Sequence, residues 1–177
     1  MLLTVAPNYS KISRMITKVT DYLTSIGVRY ELIRHPAVVT TEESRQIIHV
    51  PDCMSCKSLY VKDKKSDNYY MVVLPADKRA DMRGLASYVG TQKFEFATEE
   101  KLFADLKVHR GSVSPYAYLN ESQAYSAKLL IDVDVWNSHK VKFHPCDNTA
   151  TVVVSTDDFK KFLDSIHKET IIVNGDS

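Results

Sequence analysis

Lys57-Ser58-Leu59-Tyr60-Val61 and Tyr69-Tyr70-Met71-Val72-Val73-Leu74 decide the reading of the fold, with Asp63-Lys64-Lys65-Ser66-Asp67-Asn68 between them. Two runs rich in aromatic and β-branched residues, joined by a polar connection, predict an antiparallel hairpin. Lys57 stands at the start of the first strand in this reading, directly after a loop that carries Cys53 and Cys56.

Upstream, Ile12, Met15, Ile16, Val19, Tyr22, Leu23 and Ile26 recur at helical spacing and predict a helix from Ser10 to Ile26. Ser10 caps its start and Gly27 ends it. Val28 to Ile33 alternates as a strand and stops at Arg34-His35-Pro36, because Pro cannot donate to a ladder. Thr40 and Glu43 have capping-box spacing for a short helix to about Ile48, broken at Pro51. Downstream, Asp81 to Val89 reads as a helix closed by Gly90, and Lys93 to Phe96 as a short strand. Thr98 caps a further helix with Glu99 and Glu100 in its first turn, where negative charge is favourable. Ala127 to Val133, Val141 to His144 and Thr149 to Val154 read as strands, and Asp157 to His167 as a last helix capped by Ser155 or Thr156. Ile171-Ile172-Val173 reads as a stray strand, and Asn174 to Ser177 as a frayed end. Helices and strands intermix without regular β-α-β alternation. This favours an α+β fold with a mixed, largely antiparallel sheet flanked by helices.

The 177 residues suit one domain with one core. No apolar run approaches the roughly 20 residues of a membrane helix. The start, Met1 to Pro7, lacks the charged and long apolar stretches of a signal peptide, so a cytoplasmic location is expected and no membrane partner. A net charge of +1 argues against wrapping a long nucleic acid, DNA included, whose affinity comes from many phosphate neutralisations. It leaves room for gripping one RNA end with a few local cations. The small basic groups, among them Lys78, Arg79 and Arg83, and Lys140 and Lys142, read as solvated surface before they read as binding patches. The odd cysteine count (Cys53, Cys56, Cys146) speaks against a disulfide framework. Cys53 and Cys56 have the spacing of half a zinc site, but no second pair completes the four ligands, so free thiols and no metal are expected.

Arg110-Gly111-Ser112-Val113-Ser114-Pro115-Tyr116 belongs to no helix or strand interior. Gly reaches backbone angles that other residues avoid, while Pro fixes one angle and removes a donor. Such a loop presents amides and hydroxyls to a ligand, or else forms a tight turn. The polar residues at element ends are His35, Thr40, Lys57, Ser112, Ser114, His144 and Asn148. Each has an ordinary structural explanation alone: an exposed strand lysine, strand-end histidines before proline, turn-forming serines. No Gly-x-Ser-x-Gly elbow, Walker A loop or His-Glu-x-x-His motif is present, and no cofactor is indicated.

Taken in order, a larger set of pieces carries a resemblance. They are Tyr30-Glu31 with His35-Pro36-Ala37-Val38; Thr40 with Glu42-Glu43; Lys57 with Leu59-Tyr60-Val61; Val72-Val73-Leu74-Pro75-Ala76-Asp77-Lys78-Arg79; Gly111 to Pro115; Phe143-His144-Pro145; and Asn148-Thr149-Ala150-Thr151. The chain resembles the YbaK/ProX family of aminoacyl-tRNA editing domains over roughly residues 10 to 166. The pattern is nearest to the free-standing branch that hydrolyses alanine mischarged onto proline tRNA. The resemblance implies a compact α+β fold with a barrel-like sheet and a deacylase acting on the ester at the tRNA 3′ end. It implies Lys57 as the functional lysine and Gly111, Ser112, Val113, Ser114 and Pro115 as the loop around the terminal adenosine and aminoacyl group. His144 would shape the aminoacyl pocket, with His35, Thr40 and Asn148 beside it, and Arg79 and Arg83 would touch the acceptor stem. The partners implied are the acceptor end of tRNA(Pro) and prolyl-tRNA synthetase. The family often has Asn after its lysine, where this chain has Ser58, and Cys53 and Cys56 fall outside the pattern. Three alternatives stay open: deacylation of Cys-tRNA(Pro) or another small misacylation, a non-catalytic tRNA-binding module attached to a synthetase, and a thiol or zinc protein.

Overall fold

The hairpin is present as β2 (Cys53–Asp63) antiparallel to β3 (Tyr69–Pro75), with Lys57 opposite Leu74. The computed structural model describes residues 9–38, 43, 47–120 and 126–175, with side chains from Arg14 onward. The remaining elements are α1 (Tyr9–Ser25), β1 (Tyr30–Arg34), α2 (Gly84–Ser87), β4 (Phe94–Phe96), α3 (Glu99–Leu106), a 3-10 helix (Pro115–Leu119), β5 (Lys128–Asp132), α4 (Val133–Asn137), β6 (Lys140–Phe143), β7 (Ala150–Ser155), α5 (Thr156–Ser165) and β8 (Thr170–Val173).

The strands form one open sheet in the order β1-β7-β6-β2-β3-β5-β8, with β4 paired to β2 off that path. Pairs β1–β7, β6–β7, β2–β3 and β2–β4 are antiparallel; β2–β6, β3–β5 and β5–β8 are parallel. The fold is therefore α+β with a mixed sheet, and helices lie against it. The centre of the sheet is covered on both faces, which explains why β3 and β5 are continuous apolar runs. Met71, Val73, Leu129 and Ile131 join the larger core with Val19, Leu23, Tyr116, Phe159 and Phe162, whereas Tyr70, Val72, Leu74 and Leu130 join a second cluster with Leu85, Phe94 and Val173. Among the described residues no helix is long and apolar enough to cross a membrane.

Several local expectations need correction. The two cysteines before Lys57 lie in strand, because Cys53, Met54 and Ser55 pair in parallel with Lys140, Val141 and Lys142 of β6. Only Gly84–Ser87 of the expected Asp81–Val89 helix is helical. The strand expected through Val133 ends at Asp132, whose carboxylate accepts from the Asp134 amide and starts α4. The stray strand is β8, paired with β5. Asn174 and Gly175 are tied down rather than frayed: their amides donate to Tyr88 Oη (3.0 Å) and Asp132 Oδ2 (2.8 Å). The caps at Thr98 and Ser155 form as expected, through side-chain bonds from the Lys101 and Asp158 amides. Thr40 of the expected capping box lies outside the described residues.

Candidate active site

A split in the sheet builds the site. One edge of β2 pairs with β6 at Cys53–Ser55 and with β4 at Val61–Asp63. Between them, Cys56 to Leu59 have no strand partner on that edge among the described residues. The opening is a cleft of about 240 Å³. Ser55 to Leu59 form one wall, Phe143, His144 and Thr151 from the β6 and β7 ends the other, with Gly111 and Val113 above and Val38, Ala76 and Lys142 completing the lining. Residues distant in sequence thus meet where neighbouring strands diverge, a common way for sheet proteins to form a ligand crevice.

Lys57 lies on the cleft wall, and its ammonium donates to the Lys78 carbonyl in the turn after β3. Lys78 reaches the other way, its Nζ at 3.0 Å from Asp132 Oδ2 and 2.9 Å from Asp134 Oδ2. Next to Lys57, Ser58 Oγ is buried without a hydrogen-bond partner among the described residues and sits in the cleft lining. Buried hydroxyls are normally paired, so Ser58 Oγ is an exception in this wall.

The two histidines converge. Their ring centroids are 5.7 Å apart. A carbonyl can only accept, so His144 Nδ1–H donates to the Ala150 carbonyl (2.9 Å) and His35 Nδ1–H to the Pro36 carbonyl (2.8 Å). His35 Nε2 lies 3.0 Å from Thr151 Oγ1, and the neutral His144 ring keeps Nε2 as its acceptor. Burial pushes the His144 pKa below its ordinary value; the bond to Ala150 opposes this, and His35 and Lys142 add to the depression. The site therefore holds a neutral imidazole opposite a fixed ammonium. Asn148 ties Val38 of the lining down: its Nδ2 donates to the Val38 carbonyl (2.9 Å) and its own carbonyl accepts from the Val38 amide (3.1 Å).

The loop divides its residues between cleft and scaffold. Gly111 has a φ of 85°, a left-handed conformation that carries the chain over the cleft. Ser112 N–H is used by the His109 carbonyl (3.0 Å) and Ser112 is not in the lining. Ser114 is fully buried, its hydroxyl capping the 3-10 helix by accepting from the Tyr116 amide (3.2 Å), and Pro115 is the first residue of that helix. Arg79 and Arg83 are exposed and outside the cleft.

Sequence reasoning did not name Val38, Cys56, Ser58, Ala76, Lys142 or Thr151 as site residues, although all six line the cleft. Lys142 corrects an expectation of solvated surface: it is buried and donates to the Ile48 carbonyl (2.5 Å), because the chain before β2 folds over β6. Its place one residue before Phe143-His144 was the available signal. Cys53 and Cys56 are free thiols; three residues apart in a strand, their Cα atoms are about 10 Å apart, too far to bridge. Burial raises the thiol pKa of both, most for Cys56. Among the described residues no group of three or more His, Cys, Asp or Glu could hold a metal ion.

The model of the aminoacyl-tRNA editing domain family matches residues 35–162, a span holding Lys57, the Gly111 loop and His144. The chain belongs to the aminoacyl-tRNA editing domain family. Prolyl-tRNA editing protein ProX of Acetoanaerobium sticklandii is 34% identical over 141 residues, covering 80% of this chain and 85% of that one. Prolyl-tRNA synthetase associated domain-containing protein 1 of Bos taurus is 32% identical over 158 residues, covering 87% and 91%. A crystal structure described as a candidate trans-editing enzyme for prolyl tRNA synthetase has the same fold, with a TM-score of 0.68 at 17% identity and coverage of 97% and 99%. Editing removes an amino acid from tRNA by hydrolysis, and the chain is an aminoacyl-tRNA deacylase of this family.

Proposed function

We propose that this enzyme clears alanine mischarged onto proline tRNA, with the aminoacyl ester in the cleft between Lys57, the Gly111–Val113 segment and His144. The observation that carries the proposal is the cleft itself, small and lined by the held ammonium groups of Lys57 and Lys142 and by one neutral imidazole. The cleft measures about 240 Å³. That is room for a small aminoacyl group, with the adenosine at the mouth under the Gly111 loop.

The physical need is clear. A synthetase pocket shaped for proline rejects the smaller alanine weakly, since a missing methylene is worth about 1–3 kcal/mol. A second, smaller site admits alanine and excludes the proline ring. Water attacks the ester carbonyl carbon, a tetrahedral oxyanion forms, and the bond to the ribose oxygen breaks to release alanine and the free tRNA end. The RNA's own 2′-hydroxyl can assist the water, so no protein nucleophile is required. Lys57 supplies positive charge to orient the substrate's backbone or terminal phosphate. Because the Ser112 amide is already used, oxyanion donors come from Gly111 or Val113. His144 Nε2 accepts from the substrate's α-ammonium, and Arg79 and Arg83 meet the acceptor stem. The name of the Bos taurus relative supports prolyl-tRNA synthetase as the partner.

The test is parallel deacylation of Ala-tRNA(Pro), Cys-tRNA(Pro) and Pro-tRNA(Pro). Rapid hydrolysis of the alanyl ester alone is expected. Faster cysteine release would change the assigned substrate. Tight tRNA binding by folded protein without any turnover would point to a binding module.

A further inference from the structure

The carbonyl that holds Lys57 lies past the end of β3, where no strand pairing fixes it. The turn is closed by the Lys78 amide donating to the Pro75 carbonyl (3.1 Å), and the Lys78 side chain adds a chain of contacts that leads away from the cleft. Lys57 donates to the Lys78 carbonyl. The Lys78 ammonium sits at 3.2 and 3.0 Å from the two oxygens of Asp132, which is fully buried. The same carboxylate accepts from the Asp134 amide (2.9 Å) and the Gly175 amide (2.8 Å). A Cβ at Gly175 would lie 2.8 Å from Asp132 Oδ2, 2.9 Å from Leu74 Cδ2 and 3.2 Å from Lys78 Cδ, so only glycine approaches this closely. Leu74 is the cross-strand partner of Lys57. The segment after β8 therefore bears on Lys57 from both sides, through its hydrogen-bond partner and through its neighbour in the sheet.

We propose that Gly175, Asp132 and Lys78 form a latch that positions Lys57 for deacylation. The proposal rests on the reading of Lys57 as the functional lysine. Gly175, Asp132 and Lys78 are positioning residues and act through Lys57. Small displacements of a positioned group cost up to about a hundredfold in rate, and the latch lies one contact removed.

The experiment is single-turnover deacylation of Ala-tRNA(Pro) by Lys78→Met, Lys78→Arg and Gly175→Ala, each alone and combined with Lys57→Ala, with folding checked by circular dichroism. Lys78→Met and Gly175→Ala should lower the maximal rate about tenfold while the half-saturating enzyme concentration stays within about twofold. Lys78→Arg should recover most of the loss. In the Lys57→Ala background the latch substitutions should cost less than about twofold further, because their effect passes through the missing ammonium. Wild-type rates in folded Lys78→Met and Gly175→Ala, or equal losses in both backgrounds, overturn the latch alone. Full activity of Lys57→Ala overturns the reading of Lys57 and the latch with it.

Discussion

Replacing His144 by Ala separates the wall of the cleft from its chemistry. The ring is one side of the 240 Å³ opening. It also donates to the carbonyl of Ala150, a fully buried residue. Losing a buried hydrogen-bond partner costs about 1–3 kcal/mol, the lower end applying if water enters the enlarged space. For a chain of this size each kcal/mol moves the melting temperature by about 2–4 °C, so a fall of roughly 2–12 °C is expected. If the cleft selects alanine as proposed, widening it removes the means of excluding the extra carbons of proline. With about 1–3 kcal/mol per methylene, the preference for Ala-tRNA(Pro) over Pro-tRNA(Pro) should drop at least tenfold. Single-turnover deacylation of both substrates, beside a thermal melt, measures the two effects together. A lowered melting temperature with unchanged discrimination would refute the wall role. No change in either would refute the placement of the ring.

Other consequences are as specific. Gly111→Ala forces an L-residue into the left-handed region at a cost of about 1–2 kcal/mol. It should lower Ala-tRNA(Pro) deacylation at least tenfold, with Gly111→Asn retaining more, as steady kinetics would show. His144 has a depressed pKa in the folded state, so the unfolded chain binds its proton first as pH falls below about 6.5. Its contribution to stability is complete above that pH and declines as pH drops toward the folded value. Urea midpoints at pH 7.5, 6.5 and 5.5 should show a shallower acid loss in His144→Asn than in wild type. Burial raises the pKa of all three thiols, so iodoacetamide at pH 7.5 should label the native protein far more slowly than the urea-unfolded one.

Local signals carried much of the fold. The stripe from Met15 to Ile26, the caps at Thr98 and Ser155 and the β2–β3 hairpin follow from neighbours along the chain, where periodicity and capping act. What escaped depends on distant partners. Cys53 to Ser55 become strand only because β6 lies beside them, and Ile171 to Val173 find a role only against β5. Asn174 and Gly175 look like a polar end until Tyr88 and Asp132 are seen to hold their amides. The site divides in the same way. Lys57, Gly111 and His144 stood out through a resemblance spread over the chain, and all three line the cleft. Ser114 resolves as a buried cap, an outcome its turn-forming chemistry already contained. Lys142 and Ser58 were hidden because a strand's alternation does not reveal where its sheet will open.

The most direct measurement is single-turnover deacylation of Ala-tRNA(Pro) by wild type and Lys57→Ala, with Pro-tRNA(Pro) alongside. The account predicts fast loss of alanine, an intact prolyl ester, and a fall of at least about a hundredfold on removing the ammonium, the scale seen when one preorganised electrostatic group is deleted. Full activity in folded Lys57→Ala, or equal hydrolysis of both esters by wild type, would contradict it.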